Sequence, residues 1–258
     1  MRDAASERVI ERQIEIAASP EAVWTALTTP EGLENWFPLK AEVTPGVGGS
    51  VWMSWGEDWV SGSATITAWE PNEELAMEAP MLAGGPPTVT RFLIRGEGGV
   101  TRLRLVHSGF STDAKFDEEF DSIRTGWEFE LGGLKLYLEK HAGEKREVVV
   151  RRRPVGRHDD RALARLLGVA EAPAIGDRLR LGLPGAGELS GAVRVSNPPR
   201  DVAMVTDEPR SGYFRCGVEG CGGGPLEAIL WLSCYGVSEA WREEIGAAFD
   251  RLLDERAG

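Results

Sequence analysis

Polar and apolar residues alternate over positions 10–16 (Ile10-Glu11-Arg12-Gln13-Ile14-Glu15-Ile16), with Arg12 the one polar residue on the parity of the three isoleucines. The segment therefore reads as a strand with one buried face. Ser19-Pro20-Glu21 follows. Ser19 is a good N-cap, Pro20 fits the first helical position, and Glu21 complements the positive end of the helix dipole, which predicts a short helix. A second short helix closes on Glu34-Asn35-Trp36-Phe37. Strands are expected at 41–43, 51–55, 60–69 and 75–77, broken by Gly46, Gly48 and Gly49 and by the turn Glu70-Pro71-Asn72-Glu73. Segments 88–95 and 100–107 flank Gly96-Glu97-Gly98-Gly99, a hairpin signature, and complete an antiparallel meander.

Over 114–141 the period changes. Phe116, Phe120, Ile123, Trp127, Leu131, Leu134 and Leu138 recur at spacings of three and four, the mark of one face of a long amphipathic helix. Gly126, Gly132 and Gly133 are poor helix formers, and each is expected to mark a close approach to the sheet or a bend.

Residues 142–147 read as a linker, after which a second unit starts with Val148-Val149-Val150. A short helix at 159–167 and strand-like segments at 178–181, 189–195, 202–205, 213–216 and 228–232 follow. A terminal helix from Ser238 carries Trp241, Ile245, Phe249, Leu252 and Leu253 at helical spacing. The order of elements repeats, so the expectation is two domains, 1–143 and 144–258. The second is expected to be a diverged copy whose second short helix has dissolved into 171–176, the alternative being a coincidence of composition.

A length of 258 residues agrees with two domains, and 42% hydrophobic with 27% charged residues describes a globular chain with a real core. Twenty-nine Lys and Arg against 41 Asp and Glu give a net charge of −12, which argues against a nucleic-acid partner. No stretch approaches the length of a membrane span and the first residues carry no apolar signal region, so a cytoplasmic protein with no membrane partner is expected. Three cysteines, Cys216, Cys221 and Cys234, cannot form a fully paired disulfide framework. Their spacing is wrong for a zinc knuckle and no histidine lies near, while Gly222-Gly223-Gly224 lacks the Lys-Ser/Thr of a phosphate loop. No metal and no cofactor are expected. Arg151-Arg152-Arg153 is a local basic run, read as a solvated strand face or a salt-bridge surface. Six of the nine tryptophans (Trp24, Trp36, Trp52, Trp55, Trp59, Trp69) fall in the first third, which points to an aromatic core or an aromatic-lined pocket there.

Taken together, Glu34-Asn35-Trp36-Phe37, Gly48-Gly49, Thr101-Arg102-Leu103, His107-Ser108-Gly109-Phe110 and Gly126-Trp127, in that order over about residues 8–141, resemble the START-like SRPBCC superfamily. They are most similar to bacterial homologues of the activator of the heat-shock-protein-90 ATPase. The resemblance implies an α+β helix-grip fold, a curved antiparallel sheet wrapped around a long C-terminal helix with two short helices closing one end. It also implies a hydrophobic cavity between sheet and helix in many members, which include lipid carriers, polyketide cyclases and co-chaperones. Fold alone does not choose among these.

Alternation places Val51, Met53 and Trp55, with Ile66, Phe92, Ile94, Leu103, Leu105 and His107, on faces turned toward Ile123, Trp127 and Leu131 of the long helix, with Trp36 and Phe37 at the closed end. Such a set either lines a pocket for a hydrophobic small molecule or packs as a solid core. His107 shares the inward parity at the end of an apolar strand, where a histidine can polarise a carbonyl or move a proton, or can equally be a satisfied core residue. Glu130, about 60° from the centre of the apolar stripe on the side of Ile123, is the acidic residue placed to partner it, or else a boundary carboxylate reaching water. Two readings follow: a non-enzymatic protein that holds an apolar ligand or acts through contacts with a chaperone or other protein, and a polyketide-cyclase-like enzyme using His107 and Glu130.

Overall fold

The computed structural model describes residues 7–56, 60–81, 84–155, 161–220 and 226–258. The chain divides into two compact units, Met1–Ala142 and Gly143–Gly258.

In the first unit, strand β1 (Glu7–Ile16) leads into helices α1 (Pro20–Thr28) and α2 (Pro30–Glu34). Six strands follow: β2 (Lys40–Thr44), β3 (Ser50–Ser54), β4 (Ser61–Glu70), β5 (Glu74–Ala79), β6 (Thr88–Glu97) and β7 (Val100–Ser111). A 3-10 turn at Ala114–Phe116 opens the long helix α3 (Asp117–Lys140). The seven strands form one antiparallel sheet in the order β1-β7-β6-β5-β4-β3-β2, so the first strand returns to lie beside the last. The capping logic of the sequence holds: Ser19 accepts from the Ala22 N–H at 3.3 Å with Pro20 at the helix start, and Thr29 caps α2 in the same way from Gly32. Backbone and Ser19 hydrogen bonds hold the exposed Glu21 carboxyl below its usual range.

β1 and α3 run in the same direction and are tied by polar pairs along their length. Arg8 meets Asp117 at 2.6 Å, Arg12 meets Glu128 at 2.6 Å, and the Ala17 N–H donates to Glu139 at 2.8 Å. This explains the polar exception in the first strand: Arg12 sits opposite Leu105 on β7 and reaches across to the helix.

The glycines of α3 need a correction at one position. A Cβ built on Gly126 would meet nothing within 4 Å, so this residue does not mark a close approach to the sheet.

The second unit runs β8 (Arg146–Pro154), α4 (Ala162–Leu167), β9 (Arg178–Leu183), β10 (Gly187–Asn197), β11 (Asp201–Glu208), β12 (Gly212–Glu219), β13 (Glu227–Tyr235) and α5 (Glu239–Arg256). Its six-stranded antiparallel sheet has the order β8-β13-β12-β11-β10-β9. Delete β2 and α2 from the first unit and the two orders coincide. Residues 171–176 are not helical, and Asp159 and Asp160 lie outside the described residues. The linker is shorter than its composition suggests, because Arg146 and Glu147 already pair with Tyr235 and Cys234 as the start of β8.

Here too the first strand is tied to the terminal helix. Glu147 pairs with Arg242 at 3.0 Å, Arg151 with Asp250 at 2.8 Å, and Arg153 with Asp250 and Asp254 at 2.8 and 2.9 Å. The basic run is thus consumed within the unit, with Arg152 pairing to Glu227 at 3.1 Å from the neighbouring strand. Between sheet, α4 and α5 lies a core whose described residues are mainly aliphatic, among them Leu163, Leu181, Leu230, Ile245 and Leu252, with the rings of Phe214 and Phe249 in it and Trp241 packed against it.

Candidate functional site

β7 carries the residue that organises the interior of the first unit. Its inward parity runs Leu103, Leu105, His107, opposite Ile94, Phe92 and Thr90 on β6. A bulge then intervenes: Ser108 and Gly109 together oppose the single residue Val9, since Ile10 faces His107 and Arg8 faces Phe110. Gly109 has φ +92°, and a Cβ there would stand 3.0 Å from the Pro87 carbonyl oxygen, so both its conformation and its space favour glycine. The extra residue restores the inward direction at Phe110, whose ring lies 4.5 Å from the His107 ring.

His107 is 8% exposed. The Trp127 indole N–H donates to His107 Nδ1 at 3.0 Å, and an indole nitrogen can only donate, so Nδ1 carries the lone pair. The proton is therefore on Nε2, which donates to Thr88 Oγ1 at 2.9 Å. Burial pushes the imidazole down to about 4, which keeps it neutral. Both nitrogens are occupied by an indole and a hydroxyl. The His107–Glu130 partnership suggested by the sequence is therefore not what holds the ring, and a base with a free lone pair is not present at this atom pair. Glu130 itself is half-buried on α3.

Around Trp127 the aromatic residues predicted for the pocket come together. Phe37 lies 5.3 Å from Trp127 and stacks on Trp36 at 4.8 Å with an interplanar angle of 14°. Trp55 meets Phe37 edge-on at 5.1 Å, and Phe92 meets Trp127 edge-on at 5.8 Å. Trp36 is fixed from behind by its own N–H, which donates to the Ala26 carbonyl at 2.9 Å. Val51, Ile66, Phe92, Leu103 and Leu105 are fully buried behind this cluster, whereas Phe37, Met53, Trp55 and Ile123 are half-buried. Within the set, Phe37 and Trp55 thus keep accessible surface, whereas Trp127, at 7% exposure, does not.

Three groups escaped the sequence reading. The Glu128 carboxylate lies well round from the apolar stripe of α3, yet it meets Arg12 from the edge strand. Phe129 is buried although it lies off that stripe. In the second unit, Arg215 is held between Asp201 at 2.9 Å and Glu219 at 3.0 Å, all three buried, with the two carboxylates raising the guanidinium pKa against its burial. Arg215 and Glu219 alternate with the core residues Phe214, Cys216 and Val218 and so occupy the other face of β12. Only an unusual density of charge in apolar strands hints at this cluster in the sequence. Cys216 and Cys234 are buried and reduced, with burial pushing each thiol up to about 12. Cys221 lies outside the described residues. Among the described residues no group of three or more His, Cys, Asp or Glu could hold a metal, and no helix is long and apolar enough to cross a membrane.

A sheet that begins and ends on neighbouring strands, grips one long helix and is closed by two short ones defines the helix-grip class. Residues 17–139 match the family described as activator of Hsp90 ATPase homolog 1-like protein, AHSA1. Over these residues the first unit is thus similar to the SRPBCC/AHSA1-like superfamily. Solved structures similar to the chain include a Mesorhizobium loti protein, 26% identical over 51% of this chain and 96% of its own, with a TM-score of 0.47. The Aha1 dimer from Colwellia psychrerythraea is 25% identical over 53% of this chain and 99% of its own, TM-score 0.44. DynU16, a protein of the dynemicin biosynthetic locus, is 17% identical over 97% of this chain and 99% of its own, TM-score 0.44. No curated protein matches the chain.

Proposed function

We propose that the first unit binds a hydrophobic small molecule between sheet and α3, against the exposed side of the Phe37–Trp55–Trp127 cluster, and that it does so without catalysis. The observation that carries this is the contrast between the fully buried Val51, Ile66, Phe92, Leu103 and Leu105 and the half-buried Phe37, Met53, Trp55 and Ile123. A ligand covering roughly 200 Å² of such apolar surface would gain about 5 kcal/mol from its removal from water. The neutral, fully engaged His107 speaks against the cyclase-like alternative, since a step at that ring would first have to break a buried hydrogen bond.

The chain is, in this reading, two helix-grip units in tandem over 1–143 and 144–258, the second a diverged copy. Support lies in the coincident strand orders and in the ion pairs that tie the first strand to the last helix in both. The largely aliphatic interior of the second unit marks it as the one without a ligand.

Native mass spectrometry of the full chain purified from its host tests the proposal. An apolar adduct lost on Trp127→Ala supports it; a bare mass, together with no binding of apolar fluorophores, removes it. The family match also favours a second reading, action through contacts with an Hsp90-class chaperone. Stimulation of that chaperone's ATPase by the added protein would establish it, and an unchanged rate would dismiss it.

A further inference from the structure

We propose that Gly126 is the residue that sets the size of ligand the first unit accepts, its missing side chain leaving the recess beside Trp127 open. This rests on the ligand-binding reading above. Glycine in the interior of a helix costs stability relative to alanine, and the usual recompense is a close approach by another element. None exists here: apart from its two chain neighbours and the backbone of its own helix, an added Cβ would meet no atom within 4 Å, and the residue is half-buried. The position is therefore half-buried and yet has open space beyond its own helix, room that a side chain would take up.

The position of the recess follows from helix geometry. Gly126, Glu130, Gly133 and Tyr137 succeed one another at spacings of four, three and four, so they form one ridge of α3. Its lower end is closed: Gly133 and Tyr137 are buried, and the Asn35 amide donates to the Tyr137 hydroxyl at 3.2 Å. The chain from Asn35 continues directly into Trp36 and Phe37, which bring their rings to Trp127. At the upper end, a Cβ on Gly85 would stand 3.0 Å from the Phe116 ring just before α3, so the loop is already in contact there. Between these two closures the ridge opens at Gly126 and Glu130, on the flank of the helix next to the half-buried Ile123. A side chain at 126 would project into this opening, whereas the polar atoms of Thr88, His107 and Trp127 are already bonded to one another. The selection exerted by position 126 itself is therefore steric.

The test uses the full chain and phenylnaphthylamine, an uncharged fluorophore that brightens in apolar sites. Wild type, Gly126→Ala and Gly126→Leu are compared for thermal unfolding and for probe affinity. Gly126→Ala is expected to raise the unfolding midpoint by about 2–4 °C, because it gains helix propensity without a clash. Gly126→Leu is expected to fold and to bind the probe about tenfold or more weakly, the scale of an overpacked site. A leucine variant that binds the probe like wild type overturns the role of Gly126 while leaving ligand binding intact. A leucine variant that fails to fold overturns it too, since the position would then be packed. Wild type that binds no probe overturns the ligand-binding reading itself.

Discussion

Removing the titratable ring at position 107 should change the pH dependence of stability in a defined window. His107 titrates at about 4 in the folded protein against an ordinary value of 6.5. Its pKa is lowered by folding, so the unfolded chain takes up a proton first as pH falls. Above 6.5 the ring is neutral in both states and contributes no pH dependence. Between 6.5 and 4 only the unfolded state is protonated, and the stability present at neutral pH is progressively lost. Below 4 both states carry the proton and the loss is complete. The difference of about 2.5 pH units corresponds to about 3 kcal/mol.

In His107→Asn the amide oxygen can still accept the Trp127 N–H bond, but nothing titrates. Urea unfolding of wild type and variant, followed by tryptophan fluorescence, should show wild type losing about 2–3 kcal/mol more than the variant between about pH 7.5 and pH 4.5. Carboxylates titrate equally in both proteins and cancel in the comparison. Parallel loss of stability in wild type and variant would refute the assignment of a buried, neutral His107.

Other substitutions test other parts of the structure. Arg215→Leu leaves Asp201 and Glu219 buried without their shared cation, and should destabilise by about 3–5 kcal/mol in equilibrium unfolding. Gly109→Ala must adopt φ +92° and press on the Pro87 carbonyl, so it should cost about 1–3 kcal/mol and disturb the aromatic near-UV circular dichroism by turning Phe110. Ser19→Ala removes the cap of α1 and should cost about 1 kcal/mol, read as a shift in the denaturation midpoint.

Much of the first unit is legible because each of its elements is amphipathic on its own account. Ile10, Ile14 and Ile16 keep strand parity, and Ser19-Pro20-Glu21 caps a helix through local hydrogen bonds. The long helix announces itself by its period. What escapes is set by partners distant in sequence. Nothing near Arg12 tells that Glu128 will meet it, and nothing near His107 tells that Trp127 and Thr88 will occupy both nitrogens. The same holds at the start of β8, where Arg146 and Glu147 look like linker and become strand by pairing with Tyr235 and Cys234. At Gly126, composition suggests a close contact or a bend, and the fold brings no other element within 4 Å of an added Cβ. Periodicity finds faces. It does not find which face atoms touch.

The central claim, an accessible apolar site on the aromatic cluster of the first unit, is tested most directly by crystals of the full chain pressurised with xenon, which enters apolar cavities that water leaves empty. Xenon density among Phe37, Trp55, Gly126 and Trp127 is the predicted result. An interior in which those side chains pack together and admit no xenon would contradict it.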